Sequence, residues 1–159
     1  MKILAPILAV VLLTACQSKP RGPTPIERDD ACASCRMAIS ERRYAAEVID
    51  QDGSIYKFDD IACMLRFAHA RGIEPPKASF YVTDYATGKD WVDARHVHFL
   101  KLKASVSSPM ASGLVAVVDS NHAAPPAGTE AQHALNFDEL WKKDVNELNT
   151  NKSARSPKN

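Results

Sequence analysis

Apolar and polar positions divide the chain into blocks of distinct period. Ile3 to Leu13 is a continuous apolar run behind Met1-Lys2, ending in Leu13-Thr14-Ala15-Cys16. A charged start, a short apolar segment and small residues before a cysteine predict a secretory signal over residues 1–15, since a permanent span needs roughly 20 apolar residues. Residues 16–30 carry Pro20, Pro23 and Pro25 among charged residues and predict an extended tether. Tyr44–Ile49 and Ile55–Phe58 predict two short strands, and Gly53 can supply the positive φ of the turn between them. Ile61, Met64, Leu65 and Ala68 follow at i, i+3, i+4, i+7, so a helix capped at Asp59-Asp60 is expected to run until Gly72, Pro75 and Pro76 stop it. Phe80–Asp84 then predicts a third strand, completing a ββαβ unit.

Beyond it the pattern is weaker. Tyr85–Gly88 predicts a turn, Trp91–Asp93 an extended segment, and Val97–Leu102 and Leu114–Val118 two strands. Asn121–Gln132 predicts an Ala/Pro loop, Asp138 a cap for a short helix through Leu148 that docks with Leu140 and Trp141, and residues 149–159 a polar disordered tail. The class is α+β, with a domain over residues 31–148 that is long enough for one core or for two small lobes, about 31–84 and 85–148.

Composition sharpens this. The formal net charge of +1 falls to about zero once Lys2 leaves with the signal, so no nucleic-acid partner is implied. If Cys16 carries lipid, three of the four cysteines remain, and an odd number in an oxidising compartment leaves at least one unpaired. A soft metal would shield such a thiol.

The candidate chemistry sits in Cys32-Ala33-Ser34-Cys35-Arg36-Met37. Thiolate and thioether favour Cu(I) over hard cations, so Cys35 and Met37 are candidate ligands. A redox pair, half a zinc site or a disulfide compete with that reading, although no apolar strand precedes Cys32 as a redox motif would want. Cys63 falls in the first helical turn and is either buried packing or a ligand, whereas Met64 lies on the apolar stripe and reads as core. Met110, in the turn-prone stretch Ser107–Gly113, has no amphipathic pattern to make it core and is either a third sulfur ligand or an incidental loop methionine. His98 shares a strand face with Leu100 and Leu102 and reads as a core histidine or a secondary ligand; no other histidine has a partner at metal-site spacing.

Several motifs together resemble the nitrous oxide reductase accessory lipoprotein family, NosL. They are the lipobox at Cys16, Cys35-Arg36-Met37 with Cys32 three residues before it, Phe58–Leu65, Asp84–Gly88, Trp91–Ala94 and Ser108–Gly113. Members typically carry Cys-Gly-Met where this chain has Cys35-Arg36-Met37. The resemblance implies a Cu(I) metallochaperone, not an enzyme, acylated at Cys16 and held at the periplasmic side of a membrane. Gln17 after the cysteine favours the outer membrane. It also implies delivery of copper for the copper-sulfide centre of nitrous oxide reductase, with an ABC transporter and its periplasmic subunit as partners. The implied fold has two small lobes built on ββαβ units, similar to organomercurial lyase. Cys35, Met37 and Met110 would then hold Cu(I), with Cys32 or Cys63 as a receiving or releasing ligand. Two rivals remain: a thiol-dependent lyase or oxidoreductase using paired thiols and Asp59 or Asp60 as proton donor, and a structural lipoprotein stapled by Cys32–Cys63.

Overall fold

The computed structural model describes residues 22–88, 91–103, 105–118 and 127–143, apart from the side chains of residues 130–133. The signal, Cys16, most of the expected 121–132 loop and the tail lie outside the described residues. Two antiparallel sheets carry the fold. In the first, β1 (Ala46–Ile49), β2 (Ile55–Phe58), β3 (Ser79–Thr83) and β4 (Trp91–Asp93) lie in the order β2-β1-β3-β4. In the second, β5 (Val97–Leu102), β6 (Leu114–Val118) and β7 (Thr129–Leu135) lie in the order β6-β5-β7.

The first hairpin turns on Gly53 at φ 84°, with Ala46 opposite Phe58. Its short length follows from Arg42–Tyr44, which coil into a 3-10 turn so that the strand begins at Ala46 rather than Tyr44. Helix α1 (Ile61–Arg71) starts where Asp60 accepts the Ala62 N–H at 2.8 Å and ends at Gly72 in the left-handed conformation. Its apolar stripe lies against the first sheet, with the Phe67 ring tilted against Tyr56 and edge-on to Phe58 at ring distances of 4.7 and 5.2 Å. Met64 is buried in that core.

Three expectations are corrected. Because β4 pairs with β3, the first lobe extends through Asp93 rather than ending at Asp84. Residues 129–132, expected in a loop, begin β7, because the edge of β5 offers backbone partners that composition does not reveal. In the second lobe the described elements run β5, β6, β7, α2 (Phe137–Lys142), with the helix after the last strand. Asn136, not Asp138, caps α2, and Glu139 completes a capping box.

One apolar core joins the lobes. Phe99, Leu114, Phe137 and Leu140 from the second pack with Phe58, Met64, Phe80 and Val82 from the first. Helix α2 supplies the wedge, its Trp141 lying edge-on to Phe80 and stacked on His69 at 4.1 Å. Asp84 and Tyr85 stitch the end of β3 to β6: the Tyr85 N–H donates to the Ala116 carbonyl at 2.8 Å, and Asp84 accepts from the Val118 N–H. No helix among the described residues is long and apolar enough to cross a membrane.

Candidate metal centre

The sulfur motif forms a tight loop laid along β2. Ala31 and Ala38 bridge antiparallel, the Cys32 N–H donates to the Met37 carbonyl at 2.8 Å, and the Arg36 N–H donates to the Cys32 carbonyl at 2.9 Å. The Ala33 N–H docks the loop on the Lys57 carbonyl at 2.8 Å. Closing it puts Arg36 at φ 68°, a left-handed conformation that suits glycine. The turn is therefore as tight here as Cys-Gly-Met would make it, with the strain carried by an arginine.

The loop aims Cys32 and Cys35 at the start of α1. Donor atoms of Cys32, Cys35, Asp59 and Cys63 all lie within 4.8 Å of one another, and the three thiols are free. Cys32 and Cys63 are fully buried, while Cys35 is half-buried. The Cys35 thiol donates to both Asp59 carboxylate oxygens, at 3.4 and 3.5 Å, and the Cys35 N–H points at the Cys32 sulfur at 3.5 Å. Behind the cluster, Arg66 reaches from the next turn of α1 to the Cys63 sulfur at 3.3 Å.

Charge in the cluster settles on one sulfur. A hydrogen bond from Cys63, and weaker ones from its surroundings, bring the Cys32 thiol down from 9.0 to about 4. Serving as that donor pushes the Cys63 thiol up, and burial adds to it. Burial likewise lifts Cys35 to about 11 and Asp59 to about 6, the anionic sulfur of Cys32 reinforcing both. A ready thiolate thus lies beneath a protonated outer thiol, an arrangement suited to gripping a thiophilic ion.

The remaining sequence-predicted residues stand at different distances. Met37 is at the rim with 52% of its surface exposed. Met110 is partly buried against the main core, and its N–H donates to Asp60 at 3.4 Å. Asp60 also accepts from the hydroxyls of Ser108 and Ser112, at 3.1 and 2.9 Å, so the cap of α1 holds the Met110 loop at the start of that helix. His98 is not with them. It alternates with Val97 and Phe99, which face the main core, and sits on the β5 face of Leu100 and Leu102, which belong to a separate cluster. Asp59 entered the sequence reading only as one of two carboxylates that could serve the thiols as proton donor, and Arg66 as a cation beside Cys63 was not singled out. The doubled Asp59-Asp60 was the signal for the first, because one carboxylate suffices to cap a helix.

The NosL family profile matches residues 23–145. The chain belongs to the NosL family. No curated protein matches it. Among solved structures, the crystal structure of the copper chaperone NosL from Shewanella denitrificans superposes with a TM-score of 0.53 at 17% identity, covering 62% of this chain and 80% of that one. At that identity the likeness bears on the fold alone, and it agrees with the two-lobed α+β architecture of this NosL chain.

Proposed function

We propose that this NosL protein is a Cu(I) carrier, anchored by lipid at Cys16 to the periplasmic face of the outer membrane, that delivers copper for the copper-sulfide centre of nitrous oxide reductase. Its partners are the ABC transporter of that maturation pathway and the transporter's periplasmic subunit. The observation that carries the reading is the convergence of three free thiols on one point, two of them buried and Cys35 half-buried, with the exposed thioether of Met37 two residues after Cys35. Soft sulfur donors select a monovalent soft ion. Membership of the family, and the copper-chaperone role of the Shewanella denitrificans protein, support it.

Low coordination is what makes handing on workable. Cu(I) meets Cys35, Met37 and Met110 first, and low coordination leaves room for a partner's sulfur or imidazole to bind before the carrier lets go. Copper then passes by associative exchange without being released. A lipid anchor would confine the carrier near a membrane transporter and raise the encounter rate. Competition with a Cu(I) chelator under anaerobic, reducing conditions tests the reading. One tightly held Cu(I) per chain is expected, and Cys35→Ala should lose it.

A thiol-dependent lyase is favoured by one observation, the Asp59 carboxyl 3.4 Å from the Cys35 sulfur, where a proton donor would stand. That alternative requires turnover of a thiol-reactive organic substrate that depends on both Cys32 and Cys63. Uptake of Cu(I) without such turnover decides for the carrier.

A further inference from the structure

We propose that Cys32, Cys35 and Cys63 form an interior three-sulfur holding site for Cu(I), separate from the outer position at Cys35 and Met37, and that Arg66 supplies its counter-charge. The inference rests on the reading of the chain as a copper carrier and adds a second position to it. Its first support is depth. Cys32 and Cys63 have no exposed surface and Met37 has 52%, so donors lie at two levels that share Cys35. One ion occupies either level, and the stoichiometry stays at one.

The second support is spacing. Sulfurs about 2.3 Å from an ion stand about 4 Å apart in a trigonal arrangement. The three sulfurs here, all within 4.8 Å of one another, close on an ion with side-chain adjustments of well under an ångström each. Asp59, the fourth donor of the cluster, offers a hard carboxylate oxygen that a soft monovalent ion disfavours, which leaves an all-sulfur set.

The third support is charge. Three thiolates around a monovalent ion carry two net negative charges, and buried charge is costly without a partner. Arg66 stands 3.3 Å from the Cys63 sulfur through Nη2, while its Nη1 is buried and finds no acceptor among the described residues. A buried guanidinium N–H without an acceptor is an unmet cost. Further negative charge on the sulfurs that Arg66 already reaches through Nη2 offsets the buried positive charge of the guanidinium.

Movement inward is a redox-neutral exchange. Cu(I) keeps its bond to Cys35, the Met37 and Met110 thioethers leave, the Cys32 and Cys63 sulfurs bind, and any thiol proton goes to water. The reverse exchange returns the ion to the rim for a partner.

Cu(I) competition with a chelator, read together with X-ray absorption of the loaded chain, tests the proposal on wild type and three variants. Met37→Ala/Met110→Ala should keep one three-coordinate, all-sulfur Cu(I) but surrender it more slowly to the chelator. Cys32→Ser/Cys63→Ser should weaken binding by more than the roughly 100-fold that outer-shell changes reach, and Arg66→Gln by about 10-fold, partly restored by Arg66→Lys. Circular dichroism checks that each variant folds; should the double serine variant not fold, Arg66→Gln against Arg66→Lys still reads the interior site. The proposal is overturned if the serine and Arg66 variants bind like wild type, if the methionine variant loses the ion, or if Zn(II) displaces Cu(I) from the cluster. Wild type that takes up no Cu(I) sinks the carrier reading itself.

Discussion

Arg36 concentrates the residue-scale physics of this protein. A side chain at φ 68° costs about 1 kcal/mol relative to glycine, and here the strained residue lies between the two outer sulfur donors. Arg36→Gly should therefore raise stability by about 1 kcal/mol, partly offset by the greater freedom of glycine in the unfolded chain. Thermal unfolding of the apo-protein checks it, and an unchanged or lower midpoint would refute the strain. The sulfur motif itself was legible in the sequence, because Cys-x-x-Cys-x-Met has a ligand chemistry independent of fold. The partners of those sulfurs were not. Asp59 lies 24 positions from Cys35, and only the docking of the loop on β2 brings the two together.

Among the elements, helix α1 has the widest reach. Its cap, Asp60, closes the helix and ties down the Met110 loop through Ser108, Ser112 and the Met110 N–H. Asp60→Ala removes a cap worth about 1 kcal/mol and leaves buried hydroxyls short of an acceptor, so a loss of about 3 kcal/mol is expected. Asp60→Asn keeps the cap oxygen and should lose about 1 kcal/mol, since the Met110 N–H loses its acceptor. Denaturant unfolding of the two variants separates the roles; an Asp60→Asn variant as stable as wild type would mean that the loop contact contributes nothing. The α1 pattern was readable because capping, stripe and stop signals agree. Strand β7 was not, since a polar, Ala-containing strand is recruited by the free edge of β5 rather than by its own periodicity. His98 shows the same limit. Its period-2 neighbours were read correctly, but which face looks toward the sulfurs depends on how the second sheet packs.

At the scale of the whole molecule, the segment expected to be tether is partly structure. Ile26 is buried, Trp91 donates to the Thr24 carbonyl at 2.8 Å, and Thr24 donates through its N–H and hydroxyl to Glu47. Lys57 adds a contact with Asp30 at 2.6 Å. Residues 24–30 are therefore fixed against the first sheet instead of serving as extended tether. Glu47 is fully buried in β1, and burial raises its carboxyl above 4.5 despite the Thr24 donors. A carboxyl raised by folding favours the folded state when protonated; its contribution is full below 4.5 and fades as pH rises through the folded value. Glu47→Gln, which cannot ionise, should therefore gain stability relative to wild type as pH is raised from about 4 to 7. Unfolding midpoints measured across that range check it, and a difference that is flat or of opposite slope would show that Glu47 is well solvated.

The chain by itself determined the first ββαβ unit, the α+β class and the sulfur chemistry, because these depend on periods, caps and ligand types spanning a few residues. Tertiary structure alone decided that three cysteines and Asp59 meet at one point, that Arg66 stands behind them, that Met37 stays at the rim, and that residues 24–30 close onto the first sheet. Those outcomes depend on which faces pack across the two lobes. Packing of that kind is a sum over distant contacts that no local pattern encodes.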